Sequence, residues 1–248
     1  MGAAIRIEAV HKEYDGMPVL RGVDLSVPEG CLYGLIGPGA SGKSVLLKMI
    51  TGLVAPDSGR VLVEGRDVHA MSELDLQAFR KRFGMLFQNN ALFDYLNVAD
   101  NIAFPLRRMT DLGEPQIAER IRDRLKVVSL PGFEDRVPAG LSGGQKKRIG
   151  VARATVIDAP IVLYDEPAAG LDPVTSQRIF ELLRKEQRAK HATVVMVSSD
   201  LDRLLTVTDR VGMLYRGRLI FDGTTAEAKS STHPYVRQFV HGLTEGPL

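Results

Sequence analysis

The sequence is poor in the residues that mark secreted, zinc-dependent and membrane-spanning proteins. It has one cysteine, Cys31, so no disulfide can form within the chain, which fits a reducing compartment. Its five histidines are scattered without the spacing of metal ligands. The N-terminus has no apolar signal core, and no window approaches the roughly 18 uncharged apolar residues of a membrane span. If the protein acts at a membrane, we expect other chains to provide the spans.

The sequence also lacks a large excess of one charge, because 32 basic residues nearly balance 30 acidic ones and the net charge is +2. This balance argues against nucleic acid as the main partner. The one short basic run, Lys146-Lys147-Arg148, is interpreted as the polar face of a helix, with DNA contact a distant alternative. With 248 residues and 44% apolar content, the chain can bury the core of one large domain or two small lobes. Cys31, at the head of an apolar strand, is expected to be a buried filler.

A glycine-rich stretch matches the phosphate-binding pattern G-x-x-x-x-G-K-[ST] at every fixed position. Its residues are Gly37, Pro38, Gly39, Ala40, Ser41, Gly42, Lys43 and Ser44. The stretch follows an apolar run ending at Ile36 and precedes a helical pattern that starts at Val45, which is the context the motif requires. Glycines let backbone N–H groups point at phosphate oxygens, and the helix N-terminus favours an anion. The alternative, a glycine-rich turn that binds nothing, is disfavoured by this context.

A second apolar run, residues 161–164, ends in two carboxylates, Asp165 and Glu166. A continuous run of this kind is typical of a strand buried on both faces, so a parallel sheet is predicted. The structural alternative for the two carboxylates is a helix cap or a surface turn.

A five-residue stretch indicates which family of P-loop proteins the chain resembles: Leu141-Ser142-Gly143-Gly144-Gln145. Together with the P-loop and the Asp165-Glu166 pair, it resembles the signature of ATP-binding-cassette (ABC) ATPases, and the resemblance covers nearly the whole chain. It implies an α/β fold: a P-loop NTPase (RecA-like) core with an antiparallel β subdomain and an inserted α-helical subdomain. The expected organisation is a single domain, 1–248, with the core in 1–88 and 157–222, the helical subdomain in 89–156 and a tail in 223–248.

The resemblance also implies roles for single residues. Lys43 should reach the β- and γ-phosphates of ATP, and Glu166 should orient and deprotonate the attacking water. The expected Mg²⁺ ligands are Ser44, Gln88 and Asp165. The other expected ATP contacts are Tyr14, which would stack on adenine, the P-loop with Val45, and Ser142, Gly143, Gly144, Gln145 and Asp172 across a dimer. Local packing is the alternative for Tyr14, whereas Asp172 is also predicted to be a helix N-cap before Pro173.

Two positions depart from the family pattern. Ser199 stands where the switch histidine that contacts the γ-phosphate is usual, and Gly140 stands where a glutamate usually precedes the signature. A serine hydroxyl donates one hydrogen bond but cannot carry charge at neutral pH. We therefore hypothesise that Ser199 makes hydrolysis slow or partner-dependent while ATP binding is retained.

The resemblance implies partners as well. Two chains would sandwich two ATP molecules head to tail, and a separate transmembrane permease would dock on a groove formed by residues 89–106. Residues 85–93 and 96–106, together with the C-terminal residues 236–247, are similar to ATPases of Mla/Mce phospholipid transport. This type implies an MCE-domain protein, often a STAS-domain protein, and a peripheral place on the cytoplasmic face of the inner membrane. A methionine-type or other small-solute importer, and a poorly hydrolysing ABC-type regulator, are the alternatives.

The tail is expected to dock on its own core or on a partner.

Overall fold

Two β-sheets organise the chain, and the computed structural model describes residues 2–248. The strands are β1 (Ala3–Tyr14), β2 (Met17–Pro28), β3 (Leu32–Ile36), β4 (Ser58–Val63), β5 (Arg66–Asp67), β6 (Phe83–Leu86), β7 (Ile161–Asp165), β8 (Thr193–Val197), β9 (Arg210–Tyr215) and β10 (Arg218–Thr224). The helices are α1 (Lys43–Ile50), α2 (Glu73–Arg80), α3 (Val98–Met109), α4 (Glu114–Val127), α5 (Gly143–Thr155), α6 (Pro173–Lys190), α7 (Leu201–Val207), α8 (Thr225–Lys229) and α9 (Pro234–His241). No helix formed by residues 2–248 combines the length and the apolar character needed to cross a bilayer.

The larger sheet has six strands in the order β10-β9-β3-β8-β7-β6. Five of them are parallel, and β10 pairs antiparallel with β9 at one edge. All residues of β3, β7 and β8 are buried, because both faces of the sheet are covered. The prediction of a parallel sheet from the apolar run before Asp165 is therefore confirmed.

The smaller sheet is antiparallel, with the order β2-β1-β4-β5. Its first hairpin turns at Asp15 and Gly16, a residue pair typical of turns, and both residues have positive φ angles, 50° and 77°. Two successive residues of this kind form the turn that matches the natural twist of a two-residue hairpin.

Two apolar cores lie on opposite faces of the six-stranded sheet, because successive side chains of a strand point to opposite faces. In β3, Leu32 and Ile36 belong to one core, whereas Tyr33 and Leu35 belong to the other. The first core is filled mainly by helices α3 to α7 and α9, and the second by α1 and the antiparallel sheet. Cys31 is buried in the second core, as predicted, and burial raises the pKa of its thiol to about 11.

Three helices, α3 to α5, occupy the chain between β6 and β7, where the sequence predicts a helical segment. An ion-pair network joins this segment to α6. Arg124 of α4 pairs with Glu186 of α6 at 2.5 Å and with Asp158 at 3.0 Å. Lys190 of α6 pairs with the same two carboxylates at 2.7 Å and 2.6 Å. The helical segment is thus connected to the core by charges as well as by apolar packing.

The C-terminal residues pack against the rest of their own chain. Val236 and Val240 of α9 are buried in the first core, so the tail docks on its own core, the first of the two expected arrangements. The residues after α9 fold back, since Gln238 Nε2 donates to the Leu243 carbonyl at 3.2 Å and the Leu248 N–H donates to Gln238 Oε1 at 2.7 Å.

Candidate functional site

Four neighbouring parallel strands end at one edge of the larger sheet, and a predicted site residue follows or ends each of them. In sheet order, β3 leads into the P-loop, β8 is followed by Ser199, β7 ends at Asp165, and β6 is followed by Gln88. Parallel strands present their carboxyl ends together, and crevices at that edge are the usual ligand sites of such sheets. The structure therefore brings together residues that are separated by more than a hundred positions in the sequence.

The P-loop backbone takes conformations that require glycine. Gly37 and Gly42 have φ angles of 139° and 101°, and Ala40 between them also has a positive φ of 57°. A Cβ atom on Gly42 would lie 2.6 Å from Leu20 Cδ2, and one on Gly37 would overlap the Leu214 carbonyl oxygen. These contacts explain the glycines of the motif by close packing, and they leave the loop open on its other side.

Helix α1 begins at Lys43 without a side-chain cap, because its N-cap residue is Gly42, and its first turn contains no acidic residue. Its N-terminal N–H groups and dipole are therefore available to an anion. The Lys43 ammonium donates to the carbonyl oxygens of Gly37 at 2.8 Å and Pro38 at 2.7 Å, and to Ser41 Oγ at 3.2 Å. Burial lowers the pKa of Lys43, while the carboxylates of Glu166 and Asp165 act in the opposite direction. The lysine is thus bonded to the P-loop and stabilised in its charged form by both carboxylates.

Asp165 is 5% exposed, and its Oδ1 atom is buried without a hydrogen-bond partner among residues 2–248. A buried, unpartnered carboxylate oxygen fits a hard cation such as Mg²⁺. Within the same residues, no cluster of three or more His, Cys, Asp or Glu side chains could enclose a metal alone. This is the usual situation for Mg²⁺, which is held by one or two protein oxygens together with substrate phosphates.

Glu166 is held in an unusual backbone conformation. Its φ is 54°, a region that non-glycine residues rarely adopt, and its N–H donates to the Val197 carbonyl of β8 at 2.9 Å. The Ser199 hydroxyl donates to Glu166 Oε2 at 3.0 Å. Strained conformations of this kind cost about 1–3 kcal/mol and cluster at functional sites. The strain and the two hydrogen bonds fix the carboxylate at the sheet edge beside Asp165.

Gln88 is exposed, and its backbone carbonyl accepts a hydrogen bond of 2.8 Å from Lys147 Nζ. Lys147 is 3% exposed, so its placement on a polar helix face was wrong. Three consecutive residues of an α-helix point in directions about 100° apart, so Lys146, Lys147 and Arg148 span about 200° of the helix and need not all face solvent. Burial lowers the pKa of Lys147, and Glu166 and Asp165 partly oppose this. The helical period therefore allows one of the three to be buried, but it does not show which one.

The signature residues open α5, as predicted. Ser142 is the N-cap: its hydroxyl accepts from the Gln145 N–H at 3.3 Å, and Gln145 Oε1 accepts from the Ser142 N–H at 2.9 Å. This capping box gives both residues a structural role. Ser142 and Gly143 are exposed, so the helix N-terminus faces outward.

Asp172 caps α6, and its side chain accepts from the N–H groups of Thr175 at 2.9 Å and Val174 at 3.0 Å. Hydrogen bonds from Thr175 hold the pKa of Asp172 below its ordinary value. Its predicted structural role as an N-cap is confirmed.

Tyr14 is 44% exposed at the end of β1, with Lys12 Nζ 5.2 Å from its ring centroid. This exposure leaves a ring face free, so adenine stacking stays a prediction.

Comparisons with known proteins agree with this geometry. The sequence profile of the family described as "ABC transporter" matches residues 20–169, more than half of the chain. The chain is 39% identical over 248 residues to the probable ribonucleotide transport ATP-binding protein mkl of Mycobacterium leprae, covering 100% of this chain and 72% of that protein. It is 36% identical over 226 residues to the intermembrane phospholipid transport system ATP-binding protein MlaF of Escherichia coli K12, covering 91% and 84%.

A solved structure is similar as well: a dimeric ATP-binding cassette in a post-hydrolysis state with bound ADP and phosphate, at a TM-score of 0.85. The sequences are 28% identical, and the match covers 89% of this chain and 98% of that one. The chain belongs to the ABC transporter family, of which it is an ATP-binding ATPase.

Proposed function

We propose that two copies of this chain bind two ATP molecules with Mg²⁺, hydrolyse them, and thereby drive a separate membrane permease that moves phospholipid. One observation supports the nucleotide chemistry: four adjacent strands end at one edge of the sheet. The residues at these strand ends are the P-loop, Ser199, Asp165-Glu166 and Gln88.

In this proposal each side chain has a defined task. Lys43 and the N-terminus of α1 bind the β- and γ-phosphates, since both carry positive charge at the P-loop. Asp165 and the Ser44 hydroxyl would hold Mg²⁺, with Gln88 as a third oxygen donor. Bound Mg²⁺ neutralises charge on the phosphates. Glu166 orients a water molecule and accepts its proton, and the Ser199 hydroxyl holds the Glu166 carboxylate in place.

The signature lies on the N-terminus of α5, away from the chain's own P-loop motif in sequence and facing outward. In a head-to-tail dimer, the N–H groups of Gly143 and Gly144 and the Ser142 hydroxyl would contact the γ-phosphate held by the partner chain. Gln145 would keep Ser142 in the capping geometry. Asp172 caps the helix that follows β7 and would line the facing site. ATP closes such a dimer because its γ-phosphate contacts both chains, and hydrolysis removes those contacts.

An apolar groove supports a protein partner. It has a volume of about 330 Å³ and is lined by side chains of the residues after β6 together with α3 and α5, including Phe87, Phe93, Phe104, Met109 and Arg153. Next to it, Tyr95 is 81% exposed, with its ring 5.9 Å from that of Phe93. A concave apolar surface edged by an exposed aromatic is suited to receiving a helix. We propose that a cytoplasmic helix of the permease docks here, which places the chain at the cytoplasmic face of the inner membrane.

The names of two relatives point to different cargoes. The similarity to MlaF, whose name includes phospholipid transport, favours a lipid, an MCE-domain protein and a STAS-domain protein as further partners. The similarity to mkl, whose name includes ribonucleotide transport, favours a soluble anion instead. We choose phospholipid because the segments 85–106 and 236–247 have the Mla/Mce pattern.

The test is an affinity purification of the full chain from native membranes in detergent, with mass spectrometry of the bound proteins and lipids. A permease, an MCE-domain protein and phospholipid are the expected components. Tyr95→Ala should reduce recovery of the permease, because the Tyr95 ring packs on Phe93 of the groove. Leu74→Ala should not, because Leu74 is equally exposed at 80% but lies on α2, which contributes no residue to the groove. A solute-binding protein would assign the chain to a small-solute importer. The absence of every membrane protein would overturn the transport assignment and favour a regulator.

A further inference from the structure

One side of α5 packs directly on the loop that follows β6. Lys147, Gly150 and Arg153 are spaced three residues apart, so they lie along one side of the helix. The first contacts Gln88, the second contacts Asn90, and the third contacts Asn90 and Ala91. The signature helix therefore follows the Gln88 loop over three successive positions.

The two charged residues hold the loop by its backbone carbonyls. Lys147 Nζ donates to the Gln88 carbonyl at 2.8 Å, and the Arg153 guanidinium donates to those of Asn90 at 2.5 Å and Ala91 at 2.7 Å. Between them, a Cβ atom on Gly150 would lie 2.7 Å from Leu86 Cδ1 and 3.4 Å from Asn90 Cβ. There is no space between helix and loop at this point, so a shift of one displaces the other.

The loop depends on these contacts for its shape. Asn90 and Ala91 have φ angles of 62° and 50°, two consecutive non-glycine residues in the left-handed region. Such a conformation is maintained only when surrounding interactions over-determine it. Carbonyl groups held by a lysine and an arginine supply that restraint, because hydrogen bonds from charged donors are about twice as strong as neutral ones.

Lys147 has an unusual position even within this arrangement. It is 3% exposed, and its three N–H donors make one hydrogen bond with residues 2–248 of the chain, the bond to Gln88. A buried ammonium with a single hydrogen bond needs further compensation. The carboxylates of Glu166 and Asp165 provide it electrostatically, so the lysine connects the Gln88 loop with the two acidic residues of the site.

We propose that Lys147 is a positioning residue, which holds the backbone of Gln88 so that the Gln88 side chain stays at the sheet edge of Asp165 and Glu166, where Leu86 of β6 pairs with Tyr164 of β7. This inference rests on the proposed function, because it concerns the same hydrolytic site. It also gives α5 two tasks. The N-terminus of the helix contacts the partner's nucleotide, and one turn later Lys147 fixes the position of Gln88 in the chain's own site.

The test is a double-mutant cycle in the full chain, with ATP turnover as the readout. Lys147→Met keeps the apolar stem and removes the ammonium, and we expect kcat to fall about 10- to 100-fold, because small displacements of catalytic groups have effects of this size. In a Gln88→Ala background, where the positioned side chain is gone, Lys147→Met should lower kcat by less than about twofold. Lys185→Met, the same change on the exposed side of α6, should leave kcat unchanged.

A merely structural lysine would behave differently. Its loss would lower kcat by the same factor with or without the Gln88 side chain, and that additive result would overturn the proposal. Thermal unfolding and binding of a fluorescent ATP analogue are measured on each variant. If Lys147→Met does not fold, the cycle is run with Lys147→Gln, which keeps a neutral donor, and the same criterion applies.

The proposed function and this inference fail in different ways. A wild-type chain that binds no ATP, or whose turnover is unchanged in Glu166→Gln, would contradict the proposed function. A wild-type chain with Glu166-dependent turnover and an additive Lys147–Gln88 cycle would contradict the positioning role alone.

Discussion

The Ser199 hydroxyl donates a hydrogen bond of 3.0 Å to the Glu166 carboxylate. The two residues end adjacent parallel strands, and the Glu166 backbone is tied to the same neighbouring strand through Val197. A serine at this position orients the carboxylate but brings no charge of its own, since its hydroxyl is neutral at physiological pH.

Replacing Ser199 tests whether this position limits turnover. We expect the assembled complex to hydrolyse ATP slowly and Ser199→His to raise kcat, because an imidazole can contact the γ-phosphate and exchange a proton. Ser199→Ala should lower kcat by up to about tenfold, in keeping with a lost hydrogen bond of about 1 kcal/mol. Phosphate release is measured for each variant, with Ser230→Ala, directly after α8, as the control. Fast turnover by the wild type that is unchanged in Ser199→His would contradict the hypothesis.

Glu166→Gln should separate ATP binding from hydrolysis. The amide keeps the shape of the side chain but cannot accept the proton of the attacking water, so kcat should fall about 10²- to 10⁴-fold. ATP with Mg²⁺ should then hold the complex in a closed, dimeric state, which size-exclusion chromatography with light scattering detects. Glu181→Gln, on the exposed side of α6, should not do so. A Glu166→Gln chain that stays monomeric with ATP and Mg²⁺ in the full complex would contradict the dimer mechanism.

Asn101→Ala should destabilise the fold and the groove together. Asn101 is fully buried; its Oδ1 accepts from the Phe93 N–H at 2.8 Å, and its Nδ2 donates to the carbonyls of Phe93, Leu96 and Asn97 at 3.0 to 3.1 Å. Leaving these buried groups unpaired should lower the free energy of unfolding by about 3 kcal/mol. Urea denaturation measures the change, and Asn89→Ala, at an exposed position nearby, should change it by less than about 0.5 kcal/mol. Equal losses in the two variants would refute the role of Asn101.

Glu186 should contribute stability that acid removes. Burial alone would raise the pKa of Glu186, but hydrogen bonds from Lys190 and Arg124 outweigh it and hold the pKa below its ordinary value of 4.5. A carboxylate whose pKa is depressed in the folded state stabilises above the unfolded value, and this stabilisation is lost as the pH falls through the folded value. The difference in urea midpoint between the wild type and Glu186→Gln should therefore be constant above about pH 5 and shrink below about pH 4. Glu119→Gln, on the exposed face of α4, should show no such trend, and a pH-independent difference for Glu186→Gln would contradict the assignment.

The sequence predicts the sheet, the P-loop, the helical segment and the signature helix because each has a local signal. The apolar run before Asp165 indicates a parallel strand, and the hairpin turn is marked by Asp15-Gly16. The place of Lys147 has no comparably strong local signal: a lysine is normally exposed, and only its acceptor, a carbonyl 59 residues earlier in the chain, explains its burial. The positive φ of Glu166 has no local sequence signal either, because the hydrogen bond that holds it comes from the neighbouring strand β8.

The helical segment is connected to the core by two different kinds of bond. Arg124, Glu186, Asp158 and Lys190 form ion pairs at one end, and Lys147 and Arg153 donate to backbone carbonyls at the other. Asp158 is 42% exposed, so dissolved ions screen its pairs with Arg124 and Lys190, whereas the Arg124–Glu186 pair, at 14% and 21% exposed, is screened less. Rising ionic strength should therefore weaken the Asp158 pairs first, while the Arg124–Glu186 pair and the hydrogen bonds to the Gln88 loop keep the segment attached.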